Sequence, residues 1–223
     1  MPGPVVTEGE LVTFRTVERD DAAFIQRSCT DPRIRYSLGS IHHRSRAQQE
    51  EGIEEWIESE GTATFVACDD GAAETAAKQS SSEGRSPSDR SSGPSPREDG
   101  DELRDEEGAP RGHPNEEETT PIGSFNARHV DGDRVWLSYW LLPEYHGEGY
   151  GRDMAETGID YVFENYDVHG ITAGAYEFND ASRGLLEAMG FTQVARRRES
   201  RYIDGDYYDE VRYDLLRREW AIQ

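Results

Sequence analysis

Apolar positions fall along this chain in two rhythms, one of period two and one of helical spacing, separated by a single long polar interval. Leu11-Val-Thr-Phe-Arg15 alternates as a half-buried strand does. Asp20-Asp21 then opens a helix carrying Ala22, Ala23, Phe24 and Ile25, which ends before Asp31-Pro32. A second helix is predicted from about Ser45 to Ser59, with Ile53, Trp56 and Ile57 at helical spacing. Thr62 to Cys68 reads as a strand, and Pro121 to Ala127 as its partner. A turn at Asp131-Gly132-Asp133 leads into Arg134 to Leu142, whose two faces are both apolar: Val135, Leu137, Tyr139 and Leu141 against Trp136, Trp140 and Leu142. That pattern predicts a central strand covered on each side. A helix follows from about Tyr150 to Asn165, with Met154, Ile159, Val162 and Phe163 facing inward, then a strand from Gly170 to Tyr176. A short helix from Asp180 to Met189 stops at Gly190, placed as a left-handed C-cap. The last two strands, about Thr192 to Tyr202 and Tyr207 to Leu215, form a hairpin across Asp204-Gly205-Asp206. This order predicts one α/β (α+β) domain over 1–223, with a mixed, mainly antiparallel sheet flanked by helices.

The polar interval runs from about 69 to 118 and contains no Ile, Val, Phe, Tyr or Trp. Such a composition cannot bury enough apolar surface to offset the entropy of ordering, so a disordered acidic insertion within the domain is expected. An interaction segment is the functional alternative for it.

Charge then narrows the class. The chain has 46 acidic and 24 basic residues, a net charge of -22, and Lys78 as its one lysine. A binder of duplex nucleic acid needs the opposite field. Two readings of the acidity stay open: attraction of a cationic substrate, and adaptation to high salt, which the spread of acid over every segment favours. No run approaches the ~18 apolar residues of a membrane span. The N-terminus lacks the basic and apolar regions of an export signal, so a cytoplasmic protein is expected. Cys29 and Cys68 are too few and too far apart for a disulfide framework or a zinc site, and no metal is expected.

The chemistry-bearing stretch is Pro143-Glu-Tyr-His-Gly-Glu-Gly-Tyr-Gly151, between the strongest strand and a helix. Glycines at alternate positions keep side chains away from the helix entrance, where free amides and the macrodipole suit a phosphate. On spacing alone, a tight turn with no ligand is an equal reading. The Gly-Lys-Ser/Thr of a P-loop is missing.

With the strand before it and the helix after it, His146-Gly147-Glu148-Gly149-Tyr150-Gly151 resembles the Arg/Gln-x-x-Gly-x-Gly/Ala acetyl-CoA signature of the GNAT N-acetyltransferases. Asn179-Asp-Ala-Ser182, followed by Leu185 to Phe191, is similar to the Asn-x-x-Ser element of the branch containing RimJ and RimL. Phe14-Arg15-Thr and Asp31-Pro32-Arg33 resemble that branch's opening segment. His146 departs from the signature, which has Arg or Gln there, and Arg152 is a candidate for the missing fixed charge. The resemblance implies a GNAT fold in which the strand end at Leu141–Leu142 parts from the strand beginning near Gly170. Pantetheine would lie in that gap, bonded to the backbone of Trp140, Leu141 and Leu142 and contacted by Asn179. It implies acetyl-CoA as co-substrate and an amine acceptor, either a peptide N-terminus or a small molecule, in a monomer or homodimer. Ser182 is the expected group near the leaving thiolate, with a helix-capping hydroxyl as the alternative. Glu177, at a strand end beside the site, is the candidate general base. The acceptor would be set by the segment from Arg35 to Arg46 and the hairpin near Tyr202 to Tyr208. The alternative to turnover is an acyl-CoA-binding regulatory module.

Overall fold

The computed structural model describes residues 2–40, 42–57, 59–70 and 119–220. Its frame is one eight-stranded sheet in the order β1-β2-β3-β4-β5-β6-β8-β7. The strands are β1 (Val5–Glu8), β2 (Thr13–Thr16), β3 (Thr62–Asp69), β4 (Thr120–Arg128), β5 (Arg134–Leu141), β6 (Gly170–Tyr176), β7 (Thr192–Ile203) and β8 (Asp206–Leu216). Every neighbouring pair is antiparallel except β5 with β6. The helices are α1 (Ala22–Ile25), α2 (Arg27–Thr30), α3 (Pro32–Arg35), α4 (Arg46–Ile57), α5 (Tyr150–Asn165), α6 (Asp180–Ala188) and α7 (Arg217–Trp220). None of them is long and apolar enough to cross a membrane.

Helices cover both faces because alternate residues of the inner strands are apolar on both. Phe65 and Ala67 of β3 point into a cluster with Phe14, Phe125, Met154 and Ile159, between the sheet and α5. Val66 and Cys68 point the other way, against Ala22, Ile25 and Ile53 of α1 and α4. Val135, Leu137 and Leu141 of β5 join the first cluster, whereas Trp140 packs with Ile34 and Leu142 on the opposite side. β5 is thus the covered central strand that its two apolar faces predict.

The structure departs from the sequence reading at several points, among them the added C-terminal helix α7. A first strand, β1, lies on the sheet edge, bulged between Val5 and Thr7. The first predicted helix divides into α1 and α2, and Asp31-Pro32 starts α3 as well as ending α2. Asp31 accepts the Arg33 amide at 2.9 Å, with Pro32 at the first helical position. The predicted insertion also begins too early. Asp69 closes β3, and Asp70 forms a buried ion pair with Arg15 at 2.9 Å, each side chain 5% exposed. From residue 71 the predicted insertion lies outside the described residues.

Both thiols are buried and free. Burial pushes the Cys68 thiol up to about 12, from an ordinary 9.0. In the unfolded chain it would ionise near 9, whereas the folded chain holds the proton until about pH 12. Its contribution to stability is therefore complete below pH 9 and is lost as the pH climbs towards 12. Alkylation at pH 8.5 is expected to leave Cys68 unmodified in the folded protein and to label it in denaturant. Labelling of the native protein, read by mass spectrometry of the Cys68 peptide, would contradict this.

Candidate active site

The site arises where the one parallel pair comes apart. β5 and β6 are in register only from Arg134–Gly170 to Leu137–Ala173. β5 stays paired to β4 as far as Leu141, and β6 to β8 as far as Tyr176. Past Leu137 the two strands are each held by their outer neighbours and diverge. The wedge between them opens into a cleft of about 590 Å³ that passes through the sheet from the α5–α6 side to the α3 side.

Register decides which backbone groups face this wedge. The Leu142 amide donates to Ile122 O at 2.7 Å, so Leu142 faces β4. By the two-residue alternation of an antiparallel ladder, Trp140 does too, while Tyr139 and Leu141 turn their amides and carbonyls to the gap. Of the three residues expected to offer backbone groups, only Leu141 is so placed. Trp140 and Leu142 contribute apolar side chains instead, Trp140 against the Phe24 ring at 5.1 Å.

At one end of the cleft, the chain after β5 makes a 3-10 turn over Pro143–Tyr145 and enters α5 through the glycine loop. Gly147 and Gly149 have φ of +86° and +95°. Gly149 is the N-cap of α5 and offers no side-chain acceptor. The Tyr150 and Gly151 amides have no acceptor among the described residues, which leaves them for an anion. Asp153, the acid in the first turn, is occupied: it accepts the backbone amides of Glu10, Leu11 and Val12 at 2.8–2.9 Å. Tyr150 ties the loop to β3 by donating to Asp69 at 3.1 Å, and its ring meets Tyr145 edge-on.

His146 lines the cleft, and its Nε2 lies 3.2 Å from Leu141 O, across the root of the loop. That contact fixes where β5 ends and occupies one of the two backbone groups that Leu141 turns to the gap. Glu148 is exposed. Arg152 lines the cleft and pairs with Glu156 at 2.7 Å.

The other wall is the start of α6. Asn179 caps that helix by accepting the Ser182 amide at 3.1 Å, so Ser182 is the capped residue and its hydroxyl is not the cap. Asn179 and Ser182 both line the cleft. Arg183 steadies the turn from behind, donating to Glu177 O at 3.1 Å and to Asp180. Beside Ser182 stands a group that sequence pattern reads only as core, the Tyr139 hydroxyl. Burial pushes Tyr139 up to about 12, with the Ser182 hydroxyl the one influence pulling the other way. The oxygen is buried and has no well-formed hydrogen bond among the described residues. It is a protonated phenol, held facing the cleft with capacity to spare.

Glu177 does not join the site. It is bound to Arg196 and accepts the Asp209 amide at 3.0 Å, tying β6 to β7 and β8, and it is not among the residues lining the cleft. Among the described residues the acid that does line the cleft, Glu210, accepts from Arg197 at 3.2 Å and Ser200 at 3.3 Å.

Residues 97–192 match the acetyltransferase (GNAT) domain family. The spermidine N-acetyltransferase of Vibrio cholerae, solved with CoA and spermine, superposes with a TM-score of 0.69 over 95% of this chain and 98% of that one, at 19% identity. This chain has the GNAT acetyltransferase fold. Among curated relatives, Bacillus subtilis YdaF, provisionally named a ribosomal N-acetyltransferase, is 32% identical over 84 residues, covering 38% of this chain and 46% of YdaF. The FsC-acetyl coenzyme A-N(2)-transacetylase of Aspergillus fumigatus is 27% identical over 97 residues, covering 43% of this chain and 41% of that protein. The chain thus spans about half the length of the curated relatives it matches.

Proposed function

We propose that this protein transfers the acetyl group of acetyl-CoA to a primary amine by direct attack within a ternary complex. One observation carries the reading: a single cleft joins an uncapped helix N-terminus, which suits a pyrophosphate, to a parted strand pair with unpaired backbone, which suits pantetheine. In this reading the loop from His146 to Gly151 grips the pyrophosphate through backbone amides, and Arg152 adds a fixed charge. Leu141 pairs with the pantetheine, and the amide nitrogen of Asn179, not used in capping, reaches the same arm. The amine nitrogen bonds to the thioester carbon, the carbon–sulfur bond breaks, and the departing thiolate takes a hydrogen bond from Ser182, which Tyr139 orients. Because the carboxylates of Glu177 and Glu210 are engaged, the amine proton leaves to solvent through the open acceptor side. Calorimetry tests the foundation: absence of acetyl-CoA binding would remove it.

Ser182→Ala is expected to lower kcat about 10- to 100-fold with acetyl-CoA affinity little changed, the range for losing one proton-donating group. Unchanged turnover would reject the role.

The Asn179–Ser182 element and the likeness to YdaF support a RimJ/RimL-like enzyme acting on a protein N-terminal amine, in a cytoplasm where a net charge of -22 keeps the surface hydrated at high salt. Comparison of protein N-termini from deletion and wild-type cells by mass spectrometry would identify that acceptor; unchanged N-terminal acetylation would exclude it. A second reading, acyl-CoA binding without turnover, is favoured by the absence of an unengaged carboxylate lining the cleft among the described residues. Tight CoA binding with no transfer to any amine would establish it.

A further inference from the structure

The acceptor side of the cleft has the opposite electrostatic character to the chain. In a protein of net charge -22, the described residues lining the cleft away from the glycine loop include Arg33, Arg128 and Arg201 but one acid, Glu210. Partners cancel most of this. Arg33 is held two-fold by Asp31, and Glu210 by Arg197 and Arg212. Arg128 and Arg201 have no carboxylate partner among the described residues.

Their positions differ. Arg128 pairs with Trp136, at the level where β5 and β6 are still bonded. Arg201 lies near the tip of the β7–β8 hairpin, its Nε 3.4 Å from the Tyr176 hydroxyl. By register Tyr176 is level with Trp140, where the strands have parted and the thioester would lie on the proposed reading. With Nε directed at the phenol, the two terminal nitrogens of Arg201 remain to form a fork of the kind that suits a carboxylate.

We propose that Arg201 selects acceptors carrying a carboxylate near the reacting amine, and that the cleft discriminates against polycations. The surrounding acidity does not reverse this. Charges more than about 8–10 Å away are largely screened at 0.1–0.15 M salt, and the near acid, Glu210, which is the register partner of Tyr176, is engaged by Arg197 and Arg212. The inference rests on the acetyltransferase reading for the identity of the amine, but not for the recognition of the anion.

The test uses matched pairs. Short peptides with glutamate or glutamine at the second position present or remove a side-chain carboxylate. Free amino acids and their carboxamides do the same for the α-carboxylate. Spermidine is the polycation. Each compound is assayed for acetyl transfer and is also titrated against the CoA-loaded protein. The carboxylate member of at least one pair is expected to be favoured about 10- to 100-fold, the range for a charge-assisted hydrogen bond, and the pair that responds identifies the carboxylate's source. Arg201→Gln should abolish the preference by raising KM, Arg201→Lys should restore part of it, and Arg128→Gln, which removes the same charge from the cleft, should leave it. Equal loss in Arg201→Gln and Arg128→Gln would reduce the effect to a diffuse field and overturn the assignment. So would a preference for spermidine, or equal binding of both members in every pair. Preferential binding without acetyl transfer would refute the catalytic reading and leave this one standing.

Discussion

Gly149→Val is expected to weaken acetyl-CoA binding at least about 100-fold in calorimetry while the fold survives. Gly149 caps α5 at φ +95° and ψ -21°, a backbone state that costs a β-branched residue on the order of 1–3 kcal/mol. Relaxing that strain rotates the peptide planes that aim the Tyr150 and Gly151 amides. A hydrogen bond to a charged group is worth roughly 1.5–3 kcal/mol, so misdirecting two of them accounts for the two decades. Sterics act in the same direction, because a Cβ at Gly149 would lie 3.2 Å from the Leu11 methyl. At Gly147 an added Cβ meets nothing within 4 Å, so Gly147→Ala strains the backbone alone and should cost less affinity. Binding by Gly149→Val within about three-fold of the parent would mean that the loop does not hold the pyrophosphate.

The loop itself was legible in the sequence, because alternate glycines between an apolar strand and an amphipathic helix have few structural solutions. The end-to-end course of β5, α5 and β6 was equally plain, since each carries a strong period of its own. What escaped depends on contacts between distant segments. β1 is four residues on a sheet edge, and its pairing partner rather than its own pattern makes it a strand. Glu177 read as a strand-end carboxylate near the site, but β8 runs alongside and brings Asp209 to it, and β7 brings Arg196. His146 stands where the signature has Arg or Gln, and the chain through Pro143–Tyr145 brings its Nε2 to Leu141 O. Tyr139 sits on the core-facing side of its strand and so reads as core. Only the departure of β6 leaves its hydroxyl facing a cavity. The gap between β5 and β6, which defines the site, has no local signature: the register of four strands produces it.

α5 lies close against β4, and Gly158 is what permits the approach. A Cβ at this position would lie 2.1 Å from Cε2 of Phe125 and 2.3 Å from its Cζ. Phe125 is fully buried between Phe14, 5.3 Å away by ring centroids, and Phe65, at 6.5 Å. In an exposed helix, glycine to alanine would gain about 0.8–1 kcal/mol. Here the ring cannot move without displacing a stack packed at crystal density, and overpacking of that kind costs about 1–3 kcal/mol or more. The clash exceeds the propensity gain, so Gly158→Ala should be a net destabilisation of about 1–2 kcal/mol and Gly158→Val about 3 kcal/mol or more. At roughly 2–4 °C per kcal/mol for a chain of this size, the valine variant should melt on the order of 10 °C lower. Phe125→Leu costs stability alone but vacates the contested volume, so combining it with Gly158→Ala should cost less than the sum of the two changes. A Gly158→Ala protein that melts at or above the parent temperature would show that the helix can rise from the sheet without penalty. The same displacement should be felt at the cofactor end, because α5 carries Gly149 and the anion-facing amides at its first turn. Gly158→Ala, still folded at 25 °C, is therefore expected to bind acetyl-CoA several-fold more weakly, although Gly158 touches nothing in the cleft.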